Sequence, residues 1–308
     1  MDREYFLEKH GVSVSEFHNT GLVWDDLMEI RDDYTKRLTS YEDSAKYIAD
    51  CLNKVRSIHS IKYRIKDRER LIEKIIKKTI QDPEIRITLN NYRQKIKDLI
   101  GIRALHLFKE DWIDIHDYIF DNWELFAIPK VNYKKGDPYQ LLDSYVEKGL
   151  TLNEHAFGYR SIHYNIRVKS GAQEMIAEIQ LRTLFEEAWS EIDHHIRYSR
   201  NEENDGAELY LGILNNITSN ADKIASHIRR LQTIELMANQ DTITGMYNET
   251  RTEPQTETQN EKYNVTQTET HNETQTENQT ETQLEKQTET QPEKYKVRDI
   301  YKTVKQYH

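Results

Sequence analysis

The side chains best suited to chemistry gather in four places. Between Lys54 and Lys78 there are ten basic residues against Asp67, Glu69 and Glu73, a local net of +7. Such a run is ordinarily a solvated helix face. Here it opens in an extended or loop segment, SIKYRIK, and then enters a helix. Arg64, Lys66, Arg70 and Lys74 are thereby expected to converge on a helix N-terminus, whose free N–H groups and dipole favour anions such as a polyphosphate. The second place is Asp98, in KDLIGIRALHLF. A lone Asp before a strand is commonly a turn or cap residue, yet a carboxylate beside Gly101 also suits Mg²⁺, which takes one or two protein carboxylates and completes its shell with phosphate and water. The third is AEIQLRT, where strand alternation sets Glu178, Gln180 and Arg182 on one face and Ile179 and Leu181 on the other. The fourth is FGYRSIHY, which alternates Tyr159, Ser161 and His163 onto one face.

These residues need a mixed α/β framework to meet. Apolar spacing predicts helix over 24–53 (Trp24, Leu27, Ile30, Tyr34, Leu38, Tyr41) and over 68–80, where Leu71, Ile72, Ile75 and Ile76 share a face. A strand is expected at 102–108 and a helix at 110–122. SIHYNIRV (161–168) and EMIAEIQL (174–181) read as a hairpin across Lys169–Gln173. Helical periodicity returns over 184–199 and 207–237. Between Pro129 and Gly158 the chain is polar and punctuated by Gly136, Pro138 and Gly149, which predicts a long structureless connection of the kind that is usually functional or mobile.

Charge divides the 308 residues unevenly. The formal net charge is -10, of which -8 lies in Asn248–Glu293, while the last fifteen residues carry +4 and residues 1–247 carry -6. From Asn248 the chain runs in four-residue units (NETR, TEPQ, TETQ, NEKY and onward), with Glu second in every unit but NVTQ. So little is apolar there that ordering entropy has nothing to offset it. Residues 239–293 are expected to form a disordered tail, and 294–308 a short basic terminus. No run approaches the ~20 apolar residues of a membrane span. The N-terminus lacks the layout of a signal peptide, which makes the cytoplasm the default location. Cys51 is the only cysteine, which excludes a disulfide framework. The acidic body argues against a general nucleic-acid binder.

Taken in order, RIKDRERLIEK, DLIGIRAL, GYRSIH, EIQLRT and AWSEIDH resemble the synthetase domain of RelA/SpoT-type alarmone synthetases over roughly residues 20–235. The resemblance implies a nucleotidyltransferase-like mixed sheet flanked by helices, an α+β fold. It also implies transfer of the β,γ-diphosphate of ATP to the 3′-hydroxyl of GDP or GTP, giving (p)ppGpp and AMP. Carried over by position, Arg64 and Arg103 would sandwich adenine, and Lys66 and Lys74, joined by Arg70, would hold the triphosphate. Asp98 would ligate Mg²⁺, and Glu178 would share that metal or draw the proton from the attacking hydroxyl. Tyr159 would stack on the acceptor base and His163 lie near the acceptor's or donor's phosphates. Gln180 and Arg182 would support this floor, with Arg182 meeting phosphate.

Two positions depart from the family pattern. Arg70 stands where Ser is usual. The PKxNGY segment, whose Lys faces the transferred phosphates, is replaced by His155-Ala156-Phe157 before Gly158, with Lys130, Lys134 or Lys135 as its candidate counterparts. A related reading is diphosphate transfer to the 3′-CCA end of tRNA, as growth-inhibiting toxins of this kind perform. A third is an inactive module that binds alarmones or nucleotides. The hydrolase domain of long relatives is not expected: His116-Asp117 reads as structural, and monofunctional synthesis follows. His194 and His195 point to different helix faces and are not expected to chelate together. The 207–237 helix allows for a homo-oligomer.

Overall fold

The computed structural model describes residues 2–170, 173–198 and 205–249, with one compact unit spanning Met1–Met237. Four helices come first: α1 (Arg3–Lys9), α2 (Val14–Asn19), α3 (Trp24–Lys36) and α4 (Leu38–Leu52). Then follow β1 (Ser60–Ile65), α5 (Arg68–Gln81), the short α6 (Tyr92–Lys95), β2 (Ile100–His106) and, after a single 3₁₀ turn, α7 (Trp112–Asn122). The second half holds β3 (Leu125–Tyr133), α8 (Tyr139–Glu147), β4 (Thr151–Glu154), β5 (Ser161–Ser170), β6 (Gln173–Thr183), α9 (Leu184–Tyr198) and α10 (Asp205–Glu249). Among the described residues no helix is long and apolar enough to cross a membrane.

The six strands form one mixed sheet in the order β1-β2-β6-β5-β3-β4. β2 pairs parallel with β6, and β3 with β4; the other neighbours are antiparallel. Register gives the two faces opposite characters. One row runs Tyr63, Ile102, Ile179, Tyr164 across four strands, and the last three are fully buried. The next row runs Lys62, Arg103, Gln180, His163, Lys130 across five, on the other face. Helix α4 packs over β1, β2 and β5, and its Tyr41, Ala45, Ile48 and Leu52 join the core with the apolar rows. Each fully buried aliphatic side chain contributes about 1.5–3 kcal/mol, so this face fixes the register on which the polar face depends.

Helix α5 is positioned at both levels. Asp67 caps it by accepting from the Glu69 and Arg70 amides at 2.8 and 3.1 Å. Leu71, Ile72, Ile75 and Ile76 bury one side, leaving the lysines on the other. Helix α9 contacts β2 and β6, and its Trp189, 2% exposed, donates from Nε1 to the Leu211 carbonyl of α10 at 2.9 Å.

Three expectations need correction. The 24–53 helix is two helices that meet at Arg37. The stretch from Pro129 to Gly158 is not structureless: it contains most of β3, all of α8 and β4, and buries Leu142, Tyr145 and Leu150. Pro129 hid the strand, because Pro lacks the N–H a ladder needs; here it falls at the register shift between Ala127 and Lys130, where that N–H is not required. Helix α10 continues past Asn239 to Glu249, ending where the tetrapeptide units begin. The rest of the expected tail and the basic terminus lie outside the described residues, as does the centre of the hairpin turn, Gly171-Ala172.

Candidate active site

The polar face of the sheet and one side of α5 border two adjoining clefts. One, of about 290 Å³, is lined by Lys62, Arg64, Asp98, Gly101, Arg103, Glu178, Gln180, Glu191 and His194. The other, of about 710 Å³, is lined by Arg64, Lys66, Arg70, Lys74, Lys77, Lys78 and their acidic neighbours Asp67 and Glu73. Arg64 and His194 border both. The fold thus brings the basic cluster, Asp98 and Glu178 together, although 32 residues separate Lys66 from Asp98 and eighty separate Asp98 from Glu178.

Asp98 sits at the entry to β2, where the Lys66 amide bonds to the Leu99 carbonyl and closes the end of the β1–β2 ladder. Its Oδ2 accepts from Lys66 Nζ and Lys74 Nζ, both at 2.7 Å. Its Oδ1 is buried without a hydrogen-bond partner among the described residues. Burial alone would push this carboxyl up, but the Lys74 and Lys66 ammonium groups outweigh it and hold it below the usual carboxylate range. Burial pulls the Lys66 ammonium below its ordinary value, against the attraction of Asp98. Arg70 pairs with Glu73 at 2.7 Å on the rim of the larger cleft.

Glu178 lies beside Gly101 in the parallel β2–β6 pair, where the missing side chain keeps the face open. It receives Gln180 Nε2 at 2.7 Å and lies 3.3 Å from His163 Nδ1. Burial raises its carboxyl, and His163 and Gln180 more than offset that, holding it below the ordinary range and ionised at neutral pH. From His163 a polar chain continues. His163 Nε2 is 3.1 Å from the Tyr159 hydroxyl, which in turn accepts from Arg182 Nη2. Glu178, ionised, can only accept, so His163 Nδ1 carries the hydrogen between them, and in the neutral ring Nε2 accepts from the Tyr159 hydroxyl.

Arg182, expected to support the floor and to meet phosphate, is 3% exposed and bonded to Glu187 (2.8 Å), Ser190 (2.9 Å), Gln180 and Tyr159, with its guanidinium 4.9 Å from the Tyr159 ring centre. These contacts hold Tyr159 in place. Glu187 also accepts from Arg103 Nη1 at 2.9 Å, and Glu191 binds the same nitrogen. One buried carboxylate thus ties the arginine of the small cleft to the arginine behind Tyr159. Glu187 and Glu191 were missed in the sequence, and His194 was weighed there only as a chelator beside His195; their i, i+4, i+7 spacing on α9 is the signal that marks one helix face.

The three candidate lysines separate. Lys134 Nζ donates to Asn216 at 2.8 Å, Lys135 is exposed away from either cleft, and Lys130 lies directly opposite His163 in the β3–β5 register. His116 is 2% exposed and 3.1 Å from the Tyr164 hydroxyl, in keeping with a structural role. Among the described residues no three His, Cys, Asp or Glu side chains form a metal-holding group. The pair Asp98 and Glu178, with an orphaned buried oxygen on Asp98, suits an ion that takes few protein ligands.

Residues 63–203 match the family model described as the region found in RelA / SpoT proteins. The chain is 24% identical over 195 residues to GTP pyrophosphokinase YwaC of Bacillus subtilis (strain 168), a match covering 58% of this chain and 80% of that one. It is similar in structure to a GTP pyrophosphokinase family protein from Streptococcus pneumoniae (TM-score 0.51, 21% identity, 64% of this chain and 93% of that one). It also resembles small alarmone synthetase 1 from Bacillus subtilis bound to its product pppGpp (TM-score 0.50, 20% identity, 64% and 96%). At these identities the structural likeness speaks for the fold. The family match, the order of the motifs and the six-stranded mixed sheet agree: residues 63–203 are similar to the region found in RelA / SpoT proteins and share the fold of small alarmone synthetase 1.

Proposed function

We propose that the protein is a cytoplasmic GTP pyrophosphokinase that moves the β,γ-diphosphate of ATP onto the 3′-hydroxyl of GDP or GTP and releases AMP. The observation that carries this reading is the meeting of Asp98 and Glu178 in the smaller cleft, where Asp98 pairs with Lys66 and Lys74 of the larger cleft and Glu178 adjoins His163. In it, Arg64 and Arg103 hold adenine, since planar guanidinium groups stack well on rings. Lys66, Lys74 and Arg70 neutralise the triphosphate, Tyr159 supports the acceptor base, and Gln180 and His163 orient Glu178. The acceptor's 3′-oxygen attacks the β-phosphorus, its proton passes to Glu178, and the α,β-bridging bond breaks with AMP leaving. Such transfers depend chiefly on positioning and charge neutralisation. Mg²⁺, held by Asp98 and Glu178, would supply further neutralisation of the phosphate oxygens.

A second reading, transfer to the 3′ end of tRNA, is favoured by one feature of the acceptor side. Phe157, 51% exposed, carries the Arg197 guanidinium 3.9 Å over its ring, one His155 ring away from Tyr159. Exposed aromatic and guanidinium planes suit the bases of a single-stranded RNA end. Incubation with Mg²⁺, γ-labelled ATP and GDP, GTP or bulk tRNA tests both. Label in guanosine tetra- or pentaphosphate supports the first reading and label in tRNA the second. ATP binding with no transfer supports an inactive nucleotide-binding module and overturns both.

A further inference from the structure

Tyr159 offers a stacking plane but no free group with which to identify a base. Its hydroxyl is occupied between Arg182 Nη2 and His163 Nε2. The polar side chains around it are bonded in the same way. Gln180 donates to Glu178 and accepts from Arg182, and Ser161 donates to the Leu181 carbonyl. Arg160 bonds Asp137 and Asn215, and Asn215 donates to the Gly158 carbonyl. Along the β3–β4 edge Asn153 donates to Asn132. Ligand sites take their specificity from a few placed polar groups on an apolar lining, so a group still unbonded here is the one that can read.

His155 is that group. Its ring centre lies 5.3 Å from that of Tyr159 and 6.2 Å from that of Phe157. Nδ1 is buried without a hydrogen-bond partner among the described residues, and no bond among them holds Nε2. The backbone beneath the ring is fixed at both ends. The His155 amide donates to the Tyr133 carbonyl, continuing the β3–β4 pairing, and its carbonyl accepts from the Gly158 amide, each at 2.9 Å. Gly158 closes this turn in the left-handed region, at φ +77°. Rotation of the imidazole about Cβ–Cγ thus turns either nitrogen toward the Tyr159 plane without breaking a bond. Ala156 and Phe157, between His155 and Gly158, carry no polar side chain.

The charged groups facing the ring are Asp193 and Arg197 of α9 and Lys130 of β3. Burial, with Arg197 and Lys130, outweighs Asp193 and holds the imidazole below its ordinary pKa. A neutral imidazole has one donor and one acceptor, which suits the edge of a base better than a phosphate. Guanine sets an acceptor, O6, beside the N1–H and 2-amino donors, so the ring finds a partner on it in either orientation.

We propose that His155 reads the edge of the acceptor's guanine while Tyr159 supports its face, an inference that rests on the GDP or GTP acceptor of the proposed function. The test compares GDP with purine riboside 5′-diphosphate, which keeps the rings, sugar and phosphates but lacks the 6-oxo group, the 2-amino group and N1–H. With Mg²⁺ and ATP, the wild type is expected to prefer GDP by about ten-fold or more in kcat/KM, and His155→Phe by less than about three-fold, through a raised KM for GDP at an unaltered KM for ATP. His155→Asn, which keeps a polar atom at the δ position, should restore part of the preference. A His155→Phe protein that prefers GDP as strongly as the wild type overturns the inference and leaves the proposed function standing. So does a wild type that uses GDP and the analogue equally well. A wild type that transfers to neither overturns the guanine acceptor and the inference with it. On the unaltered chain labelled with ¹⁵N-histidine, GDP should shift the His155 imidazole resonances, assigned with His155→Asn, and the analogue should not; GDP that binds without shifting them overturns the inference.

Discussion

Glu187→Gln tests whether one carboxylate organises both sides of the site. The side chain is 7% exposed and bonds Arg182, itself 3% exposed, and Arg103, 25% exposed. Removing one partner of a buried ion pair typically costs about 3–5 kcal/mol. Gln retains one acceptor for one arginine, which puts the loss at the lower end, about 3 kcal/mol. For a unit of this size that lowers the thermal midpoint by roughly 6–12 °C. Glu191→Gln is the control: it touches the same Arg103 nitrogen but is 52% exposed, so its loss should stay below about 1 kcal/mol. Urea denaturation gives both values. In the transfer assay, Glu187→Gln should raise KM for ATP through Arg103 and KM for the acceptor through Arg182 and Tyr159, whereas Glu191→Gln should affect ATP alone. Equal stability losses in the two variants, or an acceptor KM untouched by Glu187→Gln, would refute the reasoning.

Glu178→Gln should lower the rate of transfer by about 10²–10⁴-fold, the range for losing a general base, with nucleotide affinity by calorimetry little changed; full activity would remove Glu178 from its role. Gly158→Ala places a Cβ at φ +77°, 2.8 Å from Lys134 Cδ and 3.1 Å from Asn215 Oδ1. The left-handed backbone alone costs about 1–2 kcal/mol, and a variant as stable as the wild type in urea contradicts the placement. Burial raises the Asp222 carboxyl to about 6. Between its unfolded value near 4 and about 6 the folded chain holds a proton that the unfolded chain has released, so this group lowers stability as pH rises through that window. Asp222→Asn should therefore stabilise α10 docking at pH 8 and lose that advantage below about pH 4; a shift equal at both pH values refutes it.

What the sequence made legible followed from strict periodicity. Helix α5 and the β5–β6 hairpin were readable because Leu71–Ile76 and the alternation through Ile162 and Ile179 leave one arrangement that buries them. The same alternation put Glu178, Gln180 and Arg182 on one face. It did not reveal that Arg182 would be captured, because Glu187 comes from the following helix and the pairing depends on how α9 turns back across the sheet. Strand β3 was obscured by Pro129, and α8 by its nine-residue length between Pro138 and Gly149. The apolar positions of 207–237 were visible, but periodicity alone could not say which side of that helix faced the domain. Burial of Asn215 and Asp222 with Ile217 and Ile224 left outside reverses the usual order.

The polar row Lys62, Arg103, Gln180, His163, Lys130 takes one residue from each of five neighbouring strands. Its members are spaced by backbone hydrogen bonding, about 4.8 Å per step, so two steps set Arg103 and His163 about 10 Å apart. On the proposed function, the sheet acts as a ruler between the donor and acceptor ends of the site. Substitution within the row changes which groups are gripped but leaves the interval between them alone; altering that would mean inserting or deleting a strand. On the same proposed function, variation in the acceptor falls to where the ruler ends, in the connections from Lys134 to Arg160, which include the His155-Ala156-Phe157 segment before Gly158.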